Sequence, residues 1–144
     1  MQIIFYDGYC ALCNNFIRAL IRFDSKEQFY FSSLQSDRAQ KLFLENPALK
    51  NIDSIILQIE NGSKSEYFTR GAAVRKIIHD LSTDEENSFF NKSILKLSKF
   101  AITLWPDYLL EKSYELVASN RYKIFGKYDT CPLPDPTISK RFLN

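Results

Sequence analysis

Two cysteines three residues apart, Cys10 and Cys13, stand between a short apolar run and an amphipathic one. That placement constrains the fold more than any other feature of the chain. Ile3-Ile4-Phe5-Tyr6 comes first and reads as a buried strand. Asp7-Gly8 supplies a turn. The run from about Cys10 to Phe23 then reads as a helix. At about 100° per residue, Leu12, Cys13, Phe16, Ile17, Ala19, Leu20 and Phe23 share one face. Asn14, Asn15, Arg18 and Arg22 share the other.

A strand, a tight turn and a CxxC at a helix start suit a dithiol redox centre. The first turn of a helix carries unpaired N–H groups and the positive end of the macrodipole. A thiolate placed there is stabilised and becomes a usable nucleophile near neutral pH. A second thiol one turn on can resolve the mixed disulfide. Cys10 falls at the edge of the apolar stripe and at the helix start, so it is expected to be the exposed attacking thiol. Cys13 falls within the stripe and is expected to be the shielded resolving thiol. The same residues also allow half of a zinc site, or two unrelated buried cysteines.

Length and composition bound the rest. At 144 residues, 45% apolar and 25% charged, the chain reads as one globular domain with room for a sizeable core. A net charge of +2 is too small to argue for nucleic acid, and the group Arg121, Lys123 and Lys127 reads as solvated surface. No run approaches a membrane span, and no charged leader precedes a long apolar stretch. Three cysteines do not make a secreted disulfide scaffold, so a reducing cytoplasm is the expected location.

The order of elements is legible from periodicity. Gln2 to Tyr6 is a strand, followed by the CxxC helix. Gln28 to Ser33 is an aromatic-rich strand, and Ser36 or Asp37 caps a helix over about Asp37 to Glu45. Asp53 to Glu60 holds a third strand, Asn61-Gly62 a hairpin turn, and Lys64 to Thr69 its antiparallel partner. Arg70 to Leu81 has helical spacing. The sum is β-α-β-α-β-β-α, the order of the thioredoxin fold, with a four-stranded mixed sheet over residues 1–81. Thr83 and Glu86 have capping-box spacing. From Ser93 to Trp105, Ile94, Leu97, Ala101, Leu104 and Trp105 form one stripe, read as core, with a dimer or membrane-surface face as the alternative. Pro106 opens a further helix to Phe125 with Leu110, Tyr114, Val117, Ala118, Arg121 and Ile124 along one face, and Gly126 as its C-cap. Residues 82–126 thus form a helical extension and 127–144 an extended tail.

These features together resemble the DCC family of thiol-disulfide oxidoreductases, whose DxxCxxC pattern is matched by Asp7, Cys10 and Cys13. Asp53-Ser54-Ile55, the Gly62 hairpin, Arg70-Gly71-Ala72-Ala73, Tyr114, Asn120-Arg121-Tyr122, Phe125-Gly126 and Cys131-Pro132-Leu133-Pro134 extend the likeness over nearly the whole chain. The resemblance implies a thioredoxin-like fold and dithiol exchange. In one respect the chain departs from thioredoxins, which present a cis-proline immediately before the third strand. Here the nearest proline is Pro47, six residues before Asp53.

The other candidates are weighed by chemistry. Asp7 reads either as a proton acceptor for Cys13 or as a turn residue capping the first helix. The DxD pattern of a haloacid dehalogenase nucleophile fails because position 9 is tyrosine. Tyr9, Arg70 and Arg121 are candidates for a substrate cleft. Arg121 is a cation on an apolar stripe, which calls for an ion pair. Cys131 reads as a buried cysteine in a docked tail, and His79, the only histidine, as a surface residue near a helix end. The expected function is thiol-disulfide exchange by Cys10 and Cys13 with help from Asp7. It needs no cofactor or metal, acts on a disulfide-containing protein or small thiol, and draws on an unidentified thiol donor. The alternative is a non-catalytic thioredoxin-like interaction module, binding zinc through Cys10, Cys13 and Cys131, with His79 as a fourth ligand.

Overall fold

The structure, a computed structural model, describes residues 1–52, 54–62, 64–83, 89–130 and 136–143, with the backbone alone for 89–92. Four strands, β1 (Gln2–Tyr6), β2 (Phe29–Ser33), β3 (Ile56–Asn61) and β4 (Lys64–Thr69), form one sheet in the order β2-β1-β3-β4. β1 runs parallel to β2 and antiparallel to β3, and β3 runs antiparallel to β4. Helices α1 (Ala11–Phe23), α2 (Asp37–Glu45) and α3 (Arg70–Ser82) complete the expected β-α-β-α-β-β-α order. This is a thioredoxin-like α/β fold. Helices α4 (Phe89–Leu104) and α5 (Asp107–Phe125) follow.

β1 is apolar from Ile3 to Tyr6 because both of its faces are covered there. Ile4 and Tyr6 meet Ile17 and Leu20 of α1 and Ala73, Ile77 and Leu81 of α3 on one side. Ile3 and Phe5 meet Ala39 and Leu42 of α2, with Leu49 and Ile56, on the other. Local chemistry sets the boundaries. The Ser36 hydroxyl accepts from the Ala39 N–H at 3.1 Å and starts α2. Gly62, at φ 62°, turns the β3–β4 hairpin. Thr83 closes α3, while Glu86, its capping-box partner in sequence, lies outside the described residues.

α5 is brought close to the sheet by an unusual N-terminus on α3. Thr69 makes no side-chain cap there. The Glu111 carboxylate of α5 accepts from the Ala72 N–H at 3.2 Å and satisfies one of the orphan donors of that first turn. A Cβ on Gly71 would stand 2.8 Å from the Glu111 carboxylate and 3.0 Å from Leu110, so a larger residue would push away the carboxylate that satisfies this turn. Arg75 of α3 ties the α4–α5 corner, donating to the Ile102 and Trp105 carbonyls at 3.2 and 2.8 Å and pairing with Asp107 at 2.6 Å.

Two expectations are corrected here. The α4 stripe of Ile94, Leu97, Ala101, Leu104 and Trp105 is exposed, and among the described side chains of this helix it is Leu95 that enters the core. Periodicity shows which residues share a face, not which face the partner covers. Likewise Val117 and Ile124 of α5 are exposed, although Arg121 on the same helix is buried. The described part of the tail is docked. Phe142 forms a parallel bridge with Phe31, and the Leu143 N–H donates to the Phe31 carbonyl at 2.7 Å, so the tail covers the outer edge of β2.

Candidate active site

The turn after β1 carries the site. Asp7 ends the strand and accepts from the Tyr9 N–H at 3.0 Å, the local bond of an Asx turn. The buried Asn14 amide then donates to the Gly8 and Cys10 carbonyls at 2.8 and 2.9 Å, pinning the turn to the first coil of α1. This explains why Asn14, placed on the polar face by its spacing, is buried. Cys10 is the N-cap of α1 with extended backbone, and its sulfur accepts from the Cys13 N–H at 3.3 Å. The helix therefore begins one residue later than the sequence suggests, and its cap is a sulfur atom rather than the Asp7 carboxylate.

Both thiols are free, and Cys10 is buried while Cys13 is only partly so. This reverses the expected exposure. The cause lies at the far end of the chain. After Gly126, at φ 86°, the backbone runs antiparallel to the turn, with Lys127 bridging Cys10. The Tyr128 N–H donates to the Tyr9 carbonyl at 2.8 Å, and the Ala11 N–H to the Gly126 carbonyl at 3.4 Å. The Lys127 ammonium lies 5.6 Å from the ring centroids of both Tyr9 and Tyr122. Residues 126–128 form a strap over the dithiol, and Cys10 retains 0% of its surface.

A polar cluster backs the dithiol. The buried Asp7 carboxylate receives four donors: the Tyr9 N–H, the Gln35 amide at 3.2 Å, the Arg121 guanidinium at 3.3 Å and the Tyr122 hydroxyl. Arg121, the cation on an apolar stripe, thus finds its counter-ion across the chain, and α5 is anchored to the end of β1. Burial, and then the hydrogen bond to Asp7, push the Tyr122 hydroxyl up to about 12, so it keeps its proton and donates. Tyr122 was named only as part of a family pattern; its adjacency to Arg121 was the one signal available.

Cys13 opens on a small cavity of about 60 Å³ lined also by Asp7, Leu12, Ser54, Tyr114, Val117, Ala118 and Arg121. Ser54, Tyr114, Ala118 and Arg121 also line a cleft of about 400 Å³ that extends to Arg70 and Glu115. Arg70 pairs with Glu115 at 3.0 Å on the cleft wall. Of the three cleft candidates, Arg70 and Arg121 line it, and Tyr9 lies beneath the strap. The Ile55 N–H, just before β3, donates to the Tyr114 hydroxyl at 3.1 Å, so a side chain of α5 occupies the backbone that precedes this strand. Burial is the main reason the Cys13 thiol is held well above its ordinary range. The hydrogen bond to Cys10 and the charge of Cys10 add to this, while Arg121 opposes it.

Among the described residues no three metal-ligating side chains converge, and Cys131 lies outside those residues. His79 is at the surface beside Asp80, with its Nδ1 3.4 Å from that carboxylate. No helix among the described residues is long and apolar enough to cross a membrane.

The thioredoxin-like sheet thus carries a CxxC at its first strand-to-helix junction, backed by an Asp–Arg–Tyr cluster. Residues 4–127 match the family model for DCC1-like thiol-disulfide oxidoreductases, and the chain belongs to that family. It is 32% identical over 143 residues to the uncharacterized protein YuxK of Bacillus subtilis, covering 99% of this chain and 93% of that one. It is 28% identical over 131 residues to a chloroplastic DCC family protein of Arabidopsis thaliana, covering 91% of this chain and 69% of that one. No solved structure matches.

Proposed function

We propose that this protein reduces or exchanges disulfides through Cys10 and Cys13. The observation that carries this reading is the Cys13 N–H aimed at the Cys10 sulfur at 3.3 Å, at the start of α1. That donor and the positive end of α1 both face the Cys10 sulfur, which suits Cys10 to be the attacking group. Cys13, held protonated by burial and by its neighbour, waits as the resolving thiol.

The Cys10 thiolate attacks one sulfur of a substrate disulfide. The substrate S–S bond breaks, and the leaving thiolate takes up a proton. Cys13 then gives up its proton, with Asp7, which lines the same cavity, as the nearby acceptor. Its sulfur attacks Cys10, a Cys10–Cys13 disulfide forms, and the second substrate thiol leaves. The substrate gains two electrons and the protein loses two, which a thiol donor restores. The cleft of about 400 Å³ admits a low-molecular-weight disulfide or a cystine-bearing loop against Arg70, Tyr114 and Arg121.

The complete burial of Cys10 favours one competing reading, a thioredoxin-like interaction module whose thiols do not turn over. Equilibration in glutathione redox buffers, followed by alkylation and mass measurement, separates the two. The expected result is one reversible intramolecular disulfide between Cys10 and Cys13. Two thiols that stay reduced across the whole buffer range would overturn the exchange reading.

The strap gives this site a measurable gate. Tyr128→Pro deletes the N–H that binds the Tyr9 carbonyl, at a cost of about 1 kcal/mol. Closure weakens accordingly, and Cys10 alkylation in the native protein is expected to speed up roughly fivefold. Cys13 alkylation should change little, since Cys13 opens on the cavity. Equal acceleration at both thiols would instead indicate general loosening of the fold.

A further inference from the structure

α4 is apolar on two opposite sides, and among the described residues only one of them is covered. Leu95 enters the core, and Ile102 on the same side is partly buried. About half a turn away around the helix, Leu97, Phe100 and Leu104 stand 70%, 64% and 63% exposed. Lys96 and Lys99 run along one flank of this outer stripe, and no acidic residue occurs between positions 89 and 105. Trp105 and Tyr108, both exposed, mark its C-terminal end, where the Lys112 ammonium lies 4.7 Å from the Tyr108 ring centroid.

We infer that the outer face of α4 seats on an anionic membrane surface. The arrangement is that of an interfacial helix: bulky apolar residues on one side, lysines along the border with no acidic counterpart, and Trp and Tyr at one end. Lysines so placed reach headgroup phosphates while their stems lie along apolar surface. A second copy of the chain fits less well, because self-packing through α4 brings lysine rows together with no acidic row to answer them. α4 does not cross the bilayer, as no described helix is long and apolar enough for that.

Trp105, the only tryptophan, reports the contact directly. Vesicles of mixed phosphatidylglycerol and phosphatidylcholine are expected to shift its emission to the blue and to sediment the protein. Vesicles of phosphatidylcholine alone should do neither. Raised salt should reverse the binding, and Lys96→Gln should weaken it on the order of fivefold. Leu97→Glu with Phe100→Glu should abolish it while leaving the circular dichroism and the thiol titration unchanged, because both side chains face solvent. No shift with the anionic vesicles, or equal binding to both compositions, would overturn the inference. So would a dimer in light scattering that the Leu97→Glu, Phe100→Glu variant breaks and that fails to bind vesicles, which would make a second copy the occupant. Emission shift, sedimentation and light scattering do not depend on the dithiol.

Discussion

Offered a disulfide substrate, Cys13→Ser is expected to accumulate a mixed disulfide on Cys10, whereas Cys10→Ser accumulates none. Both variants should lose turnover by at least about 10²-fold, because each removes one of two obligatory sulfur–sulfur steps. Serine in place of Cys13 keeps the backbone N–H that points at the Cys10 sulfur, so the first attack survives and the second cannot occur. Serine in place of Cys10 removes the atom that sits at the helix start. Trapped species resolved by non-reducing mass spectrometry decide the matter. If both variants turn over like the parent, the exchange reading fails. If Cys10→Ser is the one that traps, the roles are reversed. Cys13, the thiol that borders the cavity, is then the attacking group.

The second large effect lies far from the sulfurs. Arg141→Ala is expected to destabilise the fold by about 3–5 kcal/mol and to lower Tm by on the order of 10 °C. The Asp24 carboxylate at the end of α1 accepts from the Gln28 and Phe29 N–H groups at 3.1 and 3.0 Å and pairs with Arg141. Arg141 also donates to the Phe29 carbonyl at 3.0 and 2.9 Å and lies over the Phe31 ring. Both partners are almost wholly buried, so deleting the cation strands a desolvated charge. The double variant Arg141→Met, Asp24→Asn removes that charge and should recover part of the loss in a denaturant titration. A double variant no more stable than Arg141→Ala would show that packing of the tail, and not the stranded carboxylate, carries the effect.

The core of the fold was legible because its signals are local. The switch from a short apolar run to helical spacing located β1 and α1. Asn61-Gly62 located the hairpin, and Ser36 the start of α2. The CxxC placement located the candidate site at the start of α1. Part of what could not be read depends on contacts made more than a hundred residues away. Asp7 meets Arg121 across 114 positions, and nothing near Asp7 announces that meeting. Cys10 is buried by residues 126–128, which carry no pattern beyond a glycine suited to ending a helix. Asn14 looked like surface because helical spacing knows nothing of a turn folding back onto the helix. For α4 the spacing was right and the direction wrong: Leu97 and Phe100 share a face, but the core lies behind Leu95.

The docking of residues 139–143 along β2 also bears on how the molecule is made. A ribosome delivers Asp24 117 residues, and the Phe29 end of the aromatic strand 112 residues, before it delivers Arg141. Throughout that interval the nascent chain carries an open strand edge and an unneutralised carboxylate beside it. Cooperative completion of this edge must therefore wait until residues 139–143 leave the exit tunnel, and until then the strand edge stays open to pairing with other chains.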